Sequence, residues 1–209
     1  MSGVSAVLLA AGAGSRFGGG KLLAPFEGRP LIEATLSGLR RAPVDEIIVV
    51  VGREGERLRS ISTTHGARVV VNPNWAEGMS TSVRVGIQAC GPEVRAAVVL
   101  LADQPLVGAE AVERLVGAFE GGAEVAVATY GGERRNPVLF AKEVWPLLLR
   151  ELTGDKGARM VLKLHPELVT EVPCDDVADP ADVDTVEDLR RLEELSVSSG
   201  RAPGERRSI

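Results

Sequence analysis

Short apolar runs alternate with amphipathic stretches along this chain. Residues 4–10, Val-Ser-Ala-Val-Leu-Leu-Ala, carry almost no polar alternation, the form of a strand buried on both faces. Residues 46–51, 67–72, 96–102, 124–129 and 168–172 read the same way, and a hairpin turn opened at Tyr130 leads into a further strand through Val138, Leu139 and Phe140. Between these runs, Leu31, Ile32, Leu36 and Leu39 recur at helical spacing behind Pro30, which suits the first residue of a helix. Further helices are predicted over 54–62, over 80–89 with Ser80 as its cap, and over 108–119, 143–152 and 185–195; residues 154–159 open another that runs to His165. Apolar strands in strand–helix–strand order predict an α/β fold, a single Rossmann-like domain with a mostly parallel central sheet flanked by helices. Right-handed crossovers then gather the loops that follow the strands along one edge of the sheet, where ligands of such folds bind. The domain is expected to span residues 1–195. Residues 196–209 are polar and rich in Gly, Ser and Arg without apolar periodicity, which predicts a disordered tail.

The loop after the first strand carries the most chemistry. Five glycines, Arg16 and Lys21 lie between Gly12 and Lys21. Glycines bring the backbone close to a ligand, successive N–H groups form a concave anion site, and the two cations add full charge. The pattern is not the dinucleotide fingerprint, because the third glycine arrives one residue late, at Gly18. Nor is it a P-loop: Ser15 stands at the first glycine position and Leu22 follows Lys21, so no hydroxyl is offered to a metal there. The glycines and cations together describe a cradle for a polyphosphate at the carboxyl end of a strand; the alternative is a plain glycine-rich surface loop.

Composition narrows the partners. The 209 residues suffice for one well-buried domain, and aromatics are only 3%, so the core is built from aliphatic residues and no base-stacking platform for nucleic acid is expected. A formal charge of −5 argues against a general polyanion binder, so a phosphate site must be local. Cys90 and Cys174 lie far apart without CxxC spacing, as expected of reduced thiols in a cytoplasmic protein. No apolar run has the length of a membrane span, so no membrane partner is expected. His65 and His165 have no ligand-type neighbours in sequence, which leaves a histidine-based zinc site or a Ser-His-Asp triad without support.

Three later segments carry candidates. In Asn72-Pro73-Asn74-Trp75-Ala76-Glu77-Gly78-Met79-Ser80-Thr81-Ser82, a loop feeds a helix start whose spare N–H groups and hydroxyls suit either plain capping or a nucleotide's base and ribose. Asp103-Gln104-Pro105 ends the fourth strand, where a carboxylate serves either as a turn cap or as a ligand to magnesium, which takes one or two carboxylates plus substrate phosphates. Arg134 and Arg135 meet an acceptor phosphate or form a solvated turn, and Asp155 caps a helix or faces the acceptor. Asp175, Asp176, Asp179, Asp182 and Asp184 crowd one loop, where mutual repulsion is costly unless solvent or a cation screens it.

Leu9-Ala10-Ala11-Gly12-x-Gly14-x-Arg16-x-Gly18-x-x-Lys21 resembles the signature loop of nucleotidyltransferases that join an NTP to a phosphorylated acceptor. Leu-Ala-Ala-Gly most resembles the molybdenum cofactor cytidylyltransferase branch; the related guanylyltransferases usually carry Leu-Ala-Gly-Gly. The resemblance implies a GT-A type fold and a nucleotide pocket formed by Leu9, Ala10, Ala11, Gly12, Gly14, Arg16 and Lys21 with Gly78, Met79, Ser80 and Ser82. It implies Mg2+ on Asp103 and on Asp184, chosen over Asp182 from Asp182-Val183-Asp184-Thr185, and an acceptor subsite at Arg135, Asn136, Pro137, Asp155 and Lys156. Arg16, Lys21 and Asp103 are then the catalytic residues. The implied reaction moves CMP from CTP to the phosphate of molybdopterin, with a molybdoenzyme or its maturation chaperone as a further partner. Other readings are a sugar-1-phosphate nucleotidyltransferase and a nucleotide- or cofactor-binding module without catalysis.

Overall fold

A computed structural model describes residues 2–199 except 13, 53, 54 and 155–157. A seven-stranded sheet forms its centre. In chain order the elements are β1 (Val4–Ala10), α1 (Leu31–Gly38), β4 (Glu46–Val51), α2 (Gly55–Thr64), β5 (Arg68–Val71), α3 (Met79–Ala89), β6 (Ala96–Leu101), α4 (Ala109–Glu120), β7 (Val125–Tyr130), β8 (Glu133–Ala141), α5 (Trp145–Glu151), α6 (Arg159–Leu164), β9 (Val169–Pro173) and α7 (Val186–Ser199); β2 (Pro25–Phe26) and β3 (Arg29–Pro30) form a small separate hairpin after β1. The sheet order is β5-β4-β1-β6-β8-β7-β9, and only β8 runs against the others. The expected α/β fold, a mostly parallel sheet flanked by helices, is therefore what the chain adopts.

The order of the strands positions the site. From β1 the chain steps outward through β4 to β5, then returns by way of α3 to β6 on the other side of β1. The direction of winding reverses between β1 and β6, and the crevice outside the carboxyl ends of those strands is where α/β folds bind ligands. Both faces of β1 are covered: Val4, Ala6, Leu8 and Ala10 join the core under α1, α4 and α7, whereas Val7 and Leu9 join the core under α3, α5 and α6. This two-sided burial accounts for the unbroken apolar run.

Several local readings change. Pro30 does not open α1; it precedes the helix in the hairpin, paired with Pro25. Ser80 does not cap α3, because Gly78 holds that position at φ 113° and Ser80 is buried in the first turn. Arg134, Arg135, Asn136 and Pro137 lie in a nine-residue strand instead of a turn. The β7–β8 register shifts between Val127 and Ala128, which face Val138 and Arg135, so Asn136 and Pro137 form a bulge. A proline has no N–H for the ladder, and a bulge is where a strand tolerates it. The last helix continues to Ser199, four residues into the stretch read as a tail. The Ser196 hydroxyl donates to Glu27 and to the Glu193 carbonyl, which ties that turn to the hairpin and explains the extension. The rest of the tail, residues 200–209, lies outside the described residues.

Burial pushes the Cys90 and Cys174 thiols up to about 11. A rise from 9.0 to about 11 lowers the reactive thiolate fraction near pH 8 by roughly 100-fold. A disulfide reagent at pH 8 is therefore expected to label the native protein far more slowly than the urea-unfolded chain. Similar labelling rates in the two states would show that the thiols are open to solvent.

Candidate active site

The cradle is built on backbone geometry that its sequence demands. Gly14, at φ 56°, precedes a single 3-10 turn at Ser15–Phe17, and Gly18, Gly19 and Gly20 follow at φ 86°, 93° and 66° before a second turn at Lys21–Leu23. Three consecutive left-handed residues are open only to glycine at low cost. A Cβ at Gly18, Gly19 or Gly20 would meet nothing within 4 Å, so the requirement there is conformational and not one of space. The run turns the chain so that Lys21 points back over the end of β6.

Lys21 and Asp103 meet across the crevice: Lys21 Nζ donates to Asp103 Oδ2 at 2.6 Å and lies 3.5 Å from Asp184 Oδ1. Arg16 Nη1 donates to Asp184 Oδ2 at 2.7 Å. The Lys21 and Asp103 side chains are 14% and 22% exposed, whereas Arg16 reaches out at 77%. Asp184 arrives from the far end of the chain because its loop is docked on the β6 end. Val183 N donates to the Asp103 carbonyl at 2.9 Å, and Gln104 Nε2 donates to the Pro180 carbonyl and Asp182 Oδ1 at 2.9 and 2.8 Å. Burial, followed by the adjacent Asp103 carboxylate, raises the pKa of Asp182.

The two acids face different partners: Asp182 is turned to Gln104, and Asp184 faces the two cations. Helix capping is done by Thr185 and Asp188. Asp188 Oδ2 accepts from the Thr185 N–H and hydroxyl, and Asp188 N–H donates back to the Thr185 hydroxyl. These bonds hold the Asp188 carboxyl below the usual carboxylate range. The Asp184 side chain is left to face the crevice.

Asp103 and Asp184 converge on one ammonium, at 2.6 and 3.5 Å, so the two carboxylates face a common point where a positive charge sits. Among the described residues no group of three His, Cys, Asp or Glu side chains is arranged to hold a metal. Two carboxylates and no third match a magnesium ion that completes its shell with phosphates and water.

The second loop is held by Asn72, which sequence reading passed over. Asn72 is 1% exposed; its Nδ2 donates to Thr81 Oγ1 at 2.8 Å and Ser82 Oγ at 2.9 Å. Thr81 Oγ1 in turn donates to the Asn74 and Gly78 carbonyls. Ser80 and Ser82 are both buried at the start of α3, where Ser82 Oγ accepts from Asn72, and the exposed position there is Met79, at 41%. Trp75 was also passed over. A Cβ on Gly52 would lie 2.8 Å from the Ala11 carbonyl and 2.8 Å from the Trp75 ring, so three strand-end loops close together at that point. The Asn-Pro pair was the available signal for Asn72; none marked the Trp75 contact.

Beside the crevice lies a cavity of about 120 Å³. Leu9, Val83, Leu101, Val138 and Leu162 give it an apolar floor, with Met79, Asn136 and the guanidinium groups of Arg134, Arg135 and Arg159 around it. Arg134 is held by Glu171 at 2.7 Å and by the Leu162 carbonyl, and Arg135 by Glu133 at 2.9 Å. Pro137 is buried in the bulge and does not line the cavity. Ala10 and Ala11 are buried beneath the first loop, Gly12 is exposed, and Gly14 is half-buried. Asp155 and Lys156 lie outside the described residues.

A profile of the MobA-like NTP transferase domain matches residues 6–171. Nicotine blue oxidoreductase of Paenarthrobacter nicotinovorans is 33% identical over 197 residues, 90% of this chain and 96% of that one. Among solved structures, the homologue of Mycobacterium tuberculosis Rv0371c from Mycobacterium sp. strain JC1 is 32% identical with a TM-score of 0.83, covering 95% of this chain and 98% of that one. The M. tuberculosis Rv0371c complex with manganese is 31% identical with a TM-score of 0.77, covering 91% and 98%.

Proposed function

Because the chain belongs to the MobA-like NTP transferase family and is a nucleotidyltransferase, we propose that it transfers CMP from CTP to the phosphate of molybdopterin, or of its molybdenum form, and releases pyrophosphate. The observation that carries this reading is the meeting of Lys21 with Asp103 at 2.6 Å where the sheet reverses its winding.

The acceptor phosphate is already an anion and needs no dedicated base. An acceptor oxygen attacks the α-phosphorus in line, a new P–O bond forms, and the bond to the β-phosphate oxygen breaks. The demands are neutralised repulsion and a stabilised leaving group. Arg16 and Lys21 take the β- and γ-phosphates, and the glycine loop adds its N–H groups. Asp103 and Asp184 would hold Mg2+, which when bound neutralises the phosphate oxygens. Gly78, Met79, Ser80 and Ser82 at the start of α3 border the nucleotide. The cavity bounded by Arg135 and Asn136 takes the acceptor, with Asp155 and Lys156 assigned to the same subsite by resemblance. A molybdoenzyme or its maturation chaperone receives the product, and the compartment is the cytoplasm. Among the described residues, no helix is long and apolar enough to cross a membrane.

The preference for CTP rests on Ala11, whose methyl group fills space that the guanine-using branch leaves to a glycine. Pyrophosphate release measured with each NTP, with and without molybdopterin, is expected to be fastest with CTP and to require the acceptor. Equal or faster release with GTP removes the assignment of the base. Release supported only by a sugar 1-phosphate replaces the acceptor, and CTP binding with no release at all leaves a binding module. The name of the Paenarthrobacter relative favours one second reading, an oxidoreductase. That reading predicts redox turnover of nicotine blue with no pyrophosphate formed.

A further inference from the structure

The same side chains are asked to do two things that cannot happen together. Lys21 and Arg16 are the cations for the triphosphate, and Asp103 and Asp184 are the carboxylates for the metal. In the structure each cation is bound to an acid: Lys21 Nζ to Asp103 Oδ2 at 2.6 Å and to Asp184 Oδ1 at 3.5 Å, Arg16 Nη1 to Asp184 Oδ2 at 2.7 Å. The Lys21–Asp103 contact is mostly shielded from water, with the two side chains 14% and 22% exposed, so salt screens it less than it screens a surface pair.

We propose that Lys21 holds the place of the divalent metal between Asp103 and Asp184, so that the metal binds tightly only together with the nucleotide, whose phosphates draw Lys21 and Arg16 away. The inference rests on the reading of this crevice as a metal–nucleotide site and adds to it an order of events. A metal arriving alone must displace an ammonium already bonded to its carboxylates, and it finds only two protein carboxylates there. A triphosphate supplies a new partner for each cation and the missing oxygen ligands for the metal. Metal and nucleotide therefore favour one another's binding, and the coupling is reciprocal. Lys21 has a double role: it suppresses metal binding before the nucleotide arrives and binds phosphate afterwards. The exposed Arg16 contact yields more readily than the shielded Lys21 contact, so Lys21 sets most of the coupling.

Manganese binding without nucleotide, read from the loss of the free-ion EPR signal, tests this without any turnover. Wild-type protein is expected to bind Mn2+ weakly. Lys21→Gln is expected to bind it about 10-fold or more tightly, within the 5- to 150-fold range usual for coupled sites. The double variant Lys21→Gln/Asp103→Asn should return to weak binding. An affinity of Lys21→Gln at or below that of wild type overturns the proposal. Tight binding retained by the double variant shows instead that the metal does not use Asp103, which defeats the underlying site reading. As a second measurement on unaltered protein, a non-hydrolysable CTP analogue should bind at least about 10-fold more tightly with Mn2+ than with EDTA. Equal affinities would overturn the proposal even if the variants did not fold.

Discussion

Asp103→Asn is expected to slow pyrophosphate release from CTP about 1000-fold. The substitution keeps the shape of the side chain and removes its charge. A unit charge pair at about 4 Å is worth roughly 4 kcal/mol at an effective dielectric of 20, and each ~1.4 kcal/mol is one decade in rate. The same change removes the negative charge 2.6 Å from Lys21, but Asp184 remains 3.5 Å away, so the lysine keeps a carboxylate. Circular dichroism and the Tm then separate a lost charge from a lost fold. A variant that folds normally and releases pyrophosphate within threefold of wild type removes Asp103 from the chemistry.

Gly86→Val is expected to cost about 3 kcal/mol of stability and to lower the Tm by roughly 6–12 °C. Gly86 lies in α3 where the helix crosses β1. A Cβ there would lie 2.2 Å from Val7 Cγ1 and 3.2 Å from Val50 Cγ2, distances that neither buried valine can accept without moving the helix. Valine adds two methyl groups to that overlap and is a weaker helix former than alanine. Because α3 begins at Met79 and contains Ser80 and Ser82, an outward shift of the helix also disturbs the second loop, so CTP binding should weaken alongside stability. Urea unfolding measures the loss. A Tm within 1 °C of wild type would mean that the helix does not pack on β1 as closely as this.

The fold was legible from the sequence where burial is two-sided. β1 and β4 begin and end at the expected residues, because an apolar run covered on both faces stops where the polar loop starts. The loop after β1 was legible for the same kind of reason, since three adjacent left-handed glycines admit few other uses. Reading failed where a partner distant in sequence decides the outcome. Ser80 looked like a cap, but the helix starts earlier, behind Gly78, where Asn72 from inside the fold holds the Thr81 and Ser82 hydroxyls. The segment from Arg134 to Pro137 looked like a turn because its proline and charges break a strand pattern, yet a bulge absorbs the proline and Glu171 and Glu133 hold the arginines. The last turns of α7 looked like tail because Ser196 is polar, and its partner Glu27 lies 169 residues away. The contacts that separate the two loop acids, Asp182 with Gln104 and Asp184 with Arg16, join segments far apart in the chain and are not encoded locally.

The acidic loop reaches the crevice from the far end of the polypeptide: Asp184 lies 163 residues after the lysine it faces. A ribosome has therefore threaded out the glycine loop and Asp103 well before the last carboxylate emerges. Until residues 179–188 clear the exit tunnel, a nascent chain has the cradle but not the second acid. The complete charge arrangement therefore exists only once the acidic loop has docked on the end of β6.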